Sequence, residues 1–444
     1  MNYKEKEIKQ GIKFHTIDTN KFKTNLMAVF LTTKLTRENV TKNALISLLL
    51  RRGSQKMKTQ EKISKQMENL YGAIFECGLD KTGDNQVIKL YIETINDKYL
   101  PQSGENMLKT AMDNLLELAF NPYVENDGFS KEYLNQEKNT IKQLIEARTD
   151  NKARYSQERC IEEMYKNENY SLFKFGYVDD LENIDEKSLY KYYKELIQDC
   201  KIDIFVSGNI DENVNDIVEK NENIQKLKER QANYAEPVIV KKVQNEEKIV
   251  TESLDVAQGK LVLGLDIDID NDDEKYDILA YNAILGGTAT SKLFQNVREK
   301  AHLAYVASSS YHRFKNNILI NCGIEISNFE KALKIVKEQI EDMKNGNFTE
   351  EDLENCKKVI ISTIASIKEE QDTGITYYFA RELSESKYSP EEYTKRVQKI
   401  TKEDILKVAK KVSINTIYFL KGLDCPHCSA KIENDAGKID GISL

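Results

Sequence analysis

The chain has no tryptophan and only five prolines, while lysine, asparagine and isoleucine are abundant, a bias of the genome more than a mark of function. It also lacks a disulfide framework. Its seven cysteines are odd in number, and Cys77, Cys160, Cys200, Cys322 and Cys356 are widely scattered, which reads as reduced thiols in a cytosolic protein. No long apolar run is present. The longest, Ala44 to Leu50 broken by Ser47, falls far short of the roughly 20 residues that span a bilayer, so no membrane is expected as a partner. The opening MNYKEKEIKQG has no apolar segment of the kind a signal peptide needs, and the cytoplasm is the expected compartment. Nor is there an excess of basic charge. The 65 Lys and Arg are interspersed with 73 Asp and Glu, for a net −8, which offers no basic face to nucleic acid. No Gly-x-Ser-x-Gly elbow, Cys/His dyad or Walker loop occurs. What is present is a chain of 444 residues, 40% hydrophobic and 31% charged, enough for two ordinary globular domains with real cores.

The organisation is one unit written twice. The segment FSKEYLNQEKNTI (Phe129 to Ile141) resembles FTEEDLENCKKVI (Phe348 to Ile360), with Phe, Glu, Leu, Lys and Ile matching at a single offset of 219. Ser130 and Thr349 stand at N-cap positions, and Thr349 with Asp352 makes a capping box. Further on, IDEKSLYKYYK from Ile184 pairs with ITKEDILKVAK from Ile400, and KIDIFVSG ending at Gly208 pairs with NTIYFLKG ending at Gly422. Both endings read as a strand closed by glycine. The expected fold is therefore α+β, two homologous α/β-sandwich domains in tandem with a short C-terminal tail. The expected boundaries are 1–225, a polar linker at 226–245 that contains Pro237, 246–422, and the tail 423–444.

After Thr41 the first half runs NALISLLLRRGSQKMKTQEKISKQMENLYGAIFECG: a buried helix, Arg-Gly, a second amphipathic helix, then Gly72 and a strand. Here the chain resembles the insulinase/pitrilysin-type zinc peptidases, in the mitochondrial-processing-peptidase-like branch, and its subunit lacking HxxEH. Members carry HxxEH on this first helix, where two histidines four apart share one face and grip a zinc while the glutamate serves as general base. Anchored on Arg52-Gly53, the resemblance puts Ala44 and Leu48 at the histidine positions and Ser47 at the base. With Glu137 matched to the acidic residue seven positions earlier, the third ligand falls on Leu144. The resemblance thus implies no zinc in the peptidase-like body, since apolar side chains have no donors, and these substitutes read as core packing.

The second half contains YNAILGGTATSKLFQNVREKAHLAYVASSSYHRF. In the family a helix carrying an arginine is followed seven residues later by a tyrosine at a strand start, here Arg298 and Tyr305. The resemblance implies that this pair reaches the zinc site of an HxxEH-bearing domain and holds the substrate carbonyl under attack. A guanidinium and a phenol are rigid donors suited to a developing oxyanion. Leu285-Gly286-Gly287-Thr288 matches a glycine-rich, substrate-touching loop of relatives in shortened form. His302 and His312 have no carboxylate at ligand spacing and read as surface or packing residues, and His15 lies on an expected edge strand without a partner.

After Gly422 the chain reads LDCPHCSAKIENDAGKIDGISL, which resembles the opening of a heavy-metal-associated domain. Cys425 and Cys428 are spaced to chelate one soft ion. A complete domain of that kind needs about 40 more residues for its sheet, so the tail is either a metal site or a vestigial fusion.

The resemblance implies an accessory subunit of a heterodimeric metalloendopeptidase. A homologous HxxEH-bearing partner would supply zinc, and the substrate would be a short or unfolded peptide, which can add as a strand to an exposed sheet edge. Two other readings stay open: a non-catalytic peptide-binding or scaffold protein, with some association to lysine modification of elongation factor P, and a metal-binding protein acting through the tail.

Overall fold

The computed structural model describes residues 2–100, 106–210, 213–236, 246–384, 386 and 388–422. The tail with Cys425 and Cys428, and residues 237–245 of the expected linker, lie outside the described residues. Of the described residues, one compact unit holds 2–149, 165–236 and 358–399, and the other holds 150–164, 246–357 and 400–422.

In the first unit β1 (Asn2–Lys9), β2 (Ile12–Asp18), β3 (Thr24–Lys34), β4 (Ile74–Thr82) and β5 (Asn85–Ile95) precede a two-stranded ribbon of β6 (Val124–Glu125) and β7 (Gly128–Phe129). With β8 (Lys201–Gly208), the first five form a six-stranded sheet in the order β1-β2-β8-β3-β5-β4. The second unit contains β9 (Lys248–Ser253), β10 (Gly259–Ile267), β11 (Ala304–His312), β12 (Asn317–Ile324) and β13 (Val412–Lys421), in the order β11-β12-β10-β13-β9. Without β1, the two orders are the same. In each, with β1 set aside, the single parallel pair joins the first strand to the last, β2 with β8 and β9 with β13. The tandem α+β repeat is thus present strand by strand.

The local signals explain where the helices begin. Thr349 and Asp352 exchange side-chain and backbone bonds of 2.8 and 3.0 Å ahead of Glu350–Ser366. Capping boxes also open Glu186–Asp199 at Asp185 and Lys402–Ala409 at Thr401, at matching places in the two halves. Ser130 stands at an N-cap but makes no side-chain capping bond. A helical start follows at Glu222–Lys226. The segment after it is tied to the first unit through Asn233 N–H to the Asp199 carbonyl at 2.7 Å and Ala235 N–H to Asn85 Oδ1 at 2.7 Å.

The central strands are buried on both faces, β8 at all eight positions, although one face of β8 carries Lys201 and Asp203 beside Phe205. One face of the first sheet packs on Val40–Leu49, Met107–Phe120 and Glu186–Asp199 through Met27, Val29, Ile202 and Ile204. Its other face is covered by Gln371–Leu383, a helix from the second half of the sequence. Phe379 sets its ring 4.3 Å from Phe30, and Tyr378 stacks on Tyr3 at 4.0 Å. Reciprocally, Lys152–Met164, from the first half, belongs to the second unit. There Tyr155 and Cys160 cluster with Val262, Leu319 and Tyr418, and Gly264 leaves the room that the Met164 thioether occupies. These two helices stand at the repeat offset of 219, so each repeat lends the same element to the other unit.

Charged residues fix both loans. Glu382 accepts from Lys13 at 2.7 Å and lies 3.1 Å from Lys201, while Glu252 accepts from Tyr155 at 2.6 Å, Tyr418 at 2.8 Å and Arg159 at 3.1 Å. His15 corrects its sequence reading. It sits on the interior strand β2, fully buried, and bonds Tyr3 through Nδ1 at 2.9 Å and Asp203 through Nε2 at 3.0 Å. The sheet gains a strand outside β2 because Asn2–Lys9 pair with it as β1, which no apolar periodicity announces.

Burial pushes the Asp203 carboxyl up, but Lys201 and His15 outweigh it and hold it down at about 2. A carboxyl depressed in the folded state adds stability above its ordinary value near 4, and that stability fades as pH falls from there toward 2. Asp203→Asn should therefore lower stability at neutral pH by about 3 kcal/mol and flatten the acid loss between about pH 4 and 2. Denaturant unfolding across that range checks this, and an unchanged acid profile would refute it.

Candidate functional site

Helix Val40–Leu49 forms because its apolar residues recur all round, and eight of its ten positions are buried. Ala44 is wholly inside the core. Ser47 is buried as well, and its hydroxyl donates to the Ala44 carbonyl at 2.8 Å, which uses its proton within the helix. Leu48 is half-buried. Helix Lys131–Glu146 is docked beside it by an ion pair in which Arg52 Nε donates to the buried Glu137 carboxylate, with the guanidinium 5.7 Å over the Tyr133 ring. Seven residues are nearly two full turns, so Leu144 shares the face of Glu137. Position 144 is thereby brought to the same opening as position 48.

That opening is a cavity of about 780 Å³ lined by Ser47, Leu48, Leu144, Phe175, Cys77 and further residues of β4 and β5. The structure thus gathers three of the four degenerate positions around one space, with Ala44 beneath it. Leu144 departs from its sequence reading as core packing: it is 38% exposed, because it stands at the last turn of its helix where the core ends. The Cys77 thiol donates to the Ser47 carbonyl at 3.1 Å, and burial pushes its pKa up to about 12, which makes it a poor thiolate. Burial also raises the Asp80 carboxyl, yet Lys89 at 2.7 Å and Lys174 at 3.7 Å outweigh this and hold it below the usual range.

These residues do not fit a zinc ion, since Ala44, Leu48 and Leu144 present no donor atom. Among the described residues no three of His, Cys, Asp and Glu are grouped closely enough to hold a metal.

Arg298 and Tyr305 belong to the second unit. Phe294–Lys300 is wound as wide π-type turns, which often mark functional positions, and Tyr305 is the second residue of β11. The Arg298 guanidinium lies 4.6 Å from the Phe294 ring and 5.8 Å from the Tyr305 ring, with Glu299 3.5 Å from its Nε. Tyr305 is 76% exposed. Gly286 is required by close approach, since a Cβ there would stand 2.6 Å from the Ser309 hydroxyl of β11. His302 is exposed at φ +53°, and His312 is half-buried on β11.

Sequence reasoning placed a strand after Gly72, which is β4, but not its position at the edge of the sheet. It is an edge strand whose only strand partner among the described residues is β5, and it carries the exposed Ile74, Glu76 and Gly78 along the cavity. The strand itself is a local signal, but no sequence signal says that a strand is an edge.

The contrast between positions 44 and 144 is testable. Ala44→His must force an imidazole into a filled core and should cost about 2 kcal/mol or more. Leu144→Glu should change stability by less than about 1 kcal/mol. Thermal unfolding of both variants decides, and equal losses would show that the cavity is not open at Leu144.

Comparison with known proteins fits this geometry. Residues 183–360 match the family pattern described as "Peptidase M16 inactive domain". The chain is 37% identical over 424 residues to a protein of Bacillus subtilis (strain 168) named "Probable inactive metalloprotease YmfF", covering 93% of this chain and 96% of that protein. A conserved protein from Enterococcus faecalis V583 superposes with a TM-score of 0.87 at 28% identity, over 95% of this chain and 99% of that one. A peptidase M16 inactive domain from Pseudomonas fluorescens has the same fold, with a TM-score of 0.77 at 18% identity over 95% and 99% of the two chains. Both the tandem repeat and the likeness over nearly the whole chain lead to one conclusion: this chain belongs to the peptidase M16 family.

Proposed function

We infer that this chain is a non-catalytic member of an M16-type assembly: it binds no zinc in its peptidase-like body and holds an extended peptide. Its place is beside a homologous HxxEH-bearing subunit, to which it contributes Arg298 and Tyr305. The observation that carries the reading is a contrast of losses. Every donor at the ligand positions has gone, at Ala44, Leu48 and Leu144, while the Arg298–Tyr305 pair remains assembled and open to solvent. A tyrosine 76% exposed on an edge strand contributes little to its own fold, so its hydroxyl is available to a ligand. The name of the Bacillus subtilis relative, a probable inactive metalloprotease, agrees with it.

A second reading keeps the peptide and drops the hydrolysis: a scaffold that captures extended segments for another purpose. It is favoured by β4, whose register with β5 runs unbroken from Ile74↔Glu93 to Thr82↔Asn85 and whose outer edge has no strand partner among the described residues. Both readings place an extended peptide on this chain. No helix among the described residues is long and apolar enough to cross a membrane.

Reconstitution with the HxxEH homologue separates the two. Tyr305→Phe keeps the ring and removes the hydroxyl, and Arg298→Lys keeps the charge and loses the planar fork. Each should lower kcat/KM about 10²- to 10³-fold, as loss of one oxyanion donor does, with co-elution and thermal stability unchanged. Wild-type turnover in both variants would leave the scaffold reading.

A further inference from the structure

Edge strands are commonly blunted by bulges, prolines or charges. The first sheet follows that rule more fully at one edge than at the other. β1, NYKEKEIK, is densely charged, and its register breaks between Glu7 and Lys9. β4, IFECGLDKT, carries Glu76, Asp80 and Lys81 but has no proline and pairs without a bulge along its length. It also has a glycine that its own packing does not require: a Cβ on Gly78 would meet no atom within 4 Å. Glycine weakens a strand, and room for close approach of another backbone is one use of it at such a position.

The two faces beside this edge differ in chemistry. Cys77 and Leu79 point to the helices and belong to the core cluster against which Leu48 packs. On that side Leu48 and the exposed Leu144 wall the cavity, and the exposed Arg51 stands near Cys77. The opposite face carries Glu76 on β4 and Glu93 on β5, and the cavity lining also includes Asp372. None of these three carboxylates takes part in an ion pair among the described residues, whereas Asp80 is held by Lys89 and Lys174. A strand laid along β4 would alternate its side chains between these two faces.

We propose that the space between Leu48 and Leu144, at the family's lost metal-ligand positions, is a specificity pocket for one aliphatic side chain of an extended peptide, with lysine or arginine as its immediate neighbours. The proposal rests on the peptide-holding reading given above. Leucines on the helix side take the aliphatic group, and Arg51 turns cations away from that side. The residues on either side of the aliphatic one face Glu76 and Glu93, which favour positive charge. No bond is made or broken here. The lost zinc site has become a binding determinant.

The test is fluorescence anisotropy on the full chain with fluorescein-labelled Thr-Ser-Thr-Lys-Leu-Lys-Thr-Ser-Thr and its analogue with serine replacing the leucine. Burial of the leucine should make the first peptide bind about tenfold more tightly. Leu144→Ser, at an exposed position that leaves the melting temperature unchanged, should reduce that advantage to less than about threefold. Replacing both lysines by serine should weaken binding to the native chain but not to a Glu76→Gln, Glu93→Gln variant. Equal affinities for the leucine and serine peptides, or an advantage that survives Leu144→Ser, would overturn the pocket and leave the peptide-holding reading intact. Failure of every peptide to bind would overturn that reading itself.

Discussion

A sheet that carries large apolar side chains on both faces cannot stand with one face in water, and the architecture answers that constraint twice. β8 is buried from end to end, and in the second unit Val262 of β10 and Tyr418 of β13 turn to a face opposite the one that Leu261 and Leu263 enter. Each repeat supplies enough helices to cover one face of its own sheet. The second face is covered by the helix that the other repeat provides, Gln371–Leu383 in one unit and Lys152–Met164 in the other. Because apolar burial has no direction of its own, register comes from the polar contacts of these helices. Glu382 meets Lys13 and Lys201, and Arg159 and Tyr155 meet Glu252.

The candidate site inherits its geometry from that frame. Helix Val40–Leu49 is held by core burial, and Lys131–Glu146 is set against it by Arg52 and Glu137. This scaffold would aim side chains from positions 48 and 144 at one space whatever those side chains were. Loss of donor atoms therefore abolishes metal chemistry without collapsing the opening, and the opening is apolar where the leucines wall it and acidic where β4 and β5 face out. The same logic holds around Arg298 and Tyr305, where π-type turns and the close approach at Gly286 hold a cation beside an exposed phenol.

Much of the fold was legible because its signals are local. The capping box read at Thr349 stands at its helix start, and the paired helices from Glu186 and Lys402 open with boxes of the same local kind at Asp185 and Thr401. The segments ending at Gly208 and Gly422 lead to β8 and β13, and Arg52-Gly53 separates the two helices that its flanking periodicity demanded. The degenerate positions were legible too, as letters at fixed distances from that turn. Their environments were not. Ala44 and Leu144 both read as apolar substitutes, yet one is sealed and the other is 38% exposed, because exposure depends on where neighbouring elements end. His15 looked solitary because its partners, Tyr3 and Asp203, come from β1 and from a strand 188 residues later.

The sequence by itself determined the repeat, the order of elements within it and the absence of donors at the zinc positions, since periodicity, caps and side-chain chemistry are properties of short stretches. Tertiary structure alone decided which helix covers which sheet. Lys152–Met164 and Gln371–Leu383 occupy the same place in their repeats, and nothing in either segment names its destination. Tertiary structure also decided that β4 is an open edge with leucines on one side and carboxylates on the other. An edge is defined by the strand that is not there, and the two chemistries meet only because elements distant in the chain, Val40–Leu49, Lys131–Glu146 and Gln371–Leu383, close around one strand.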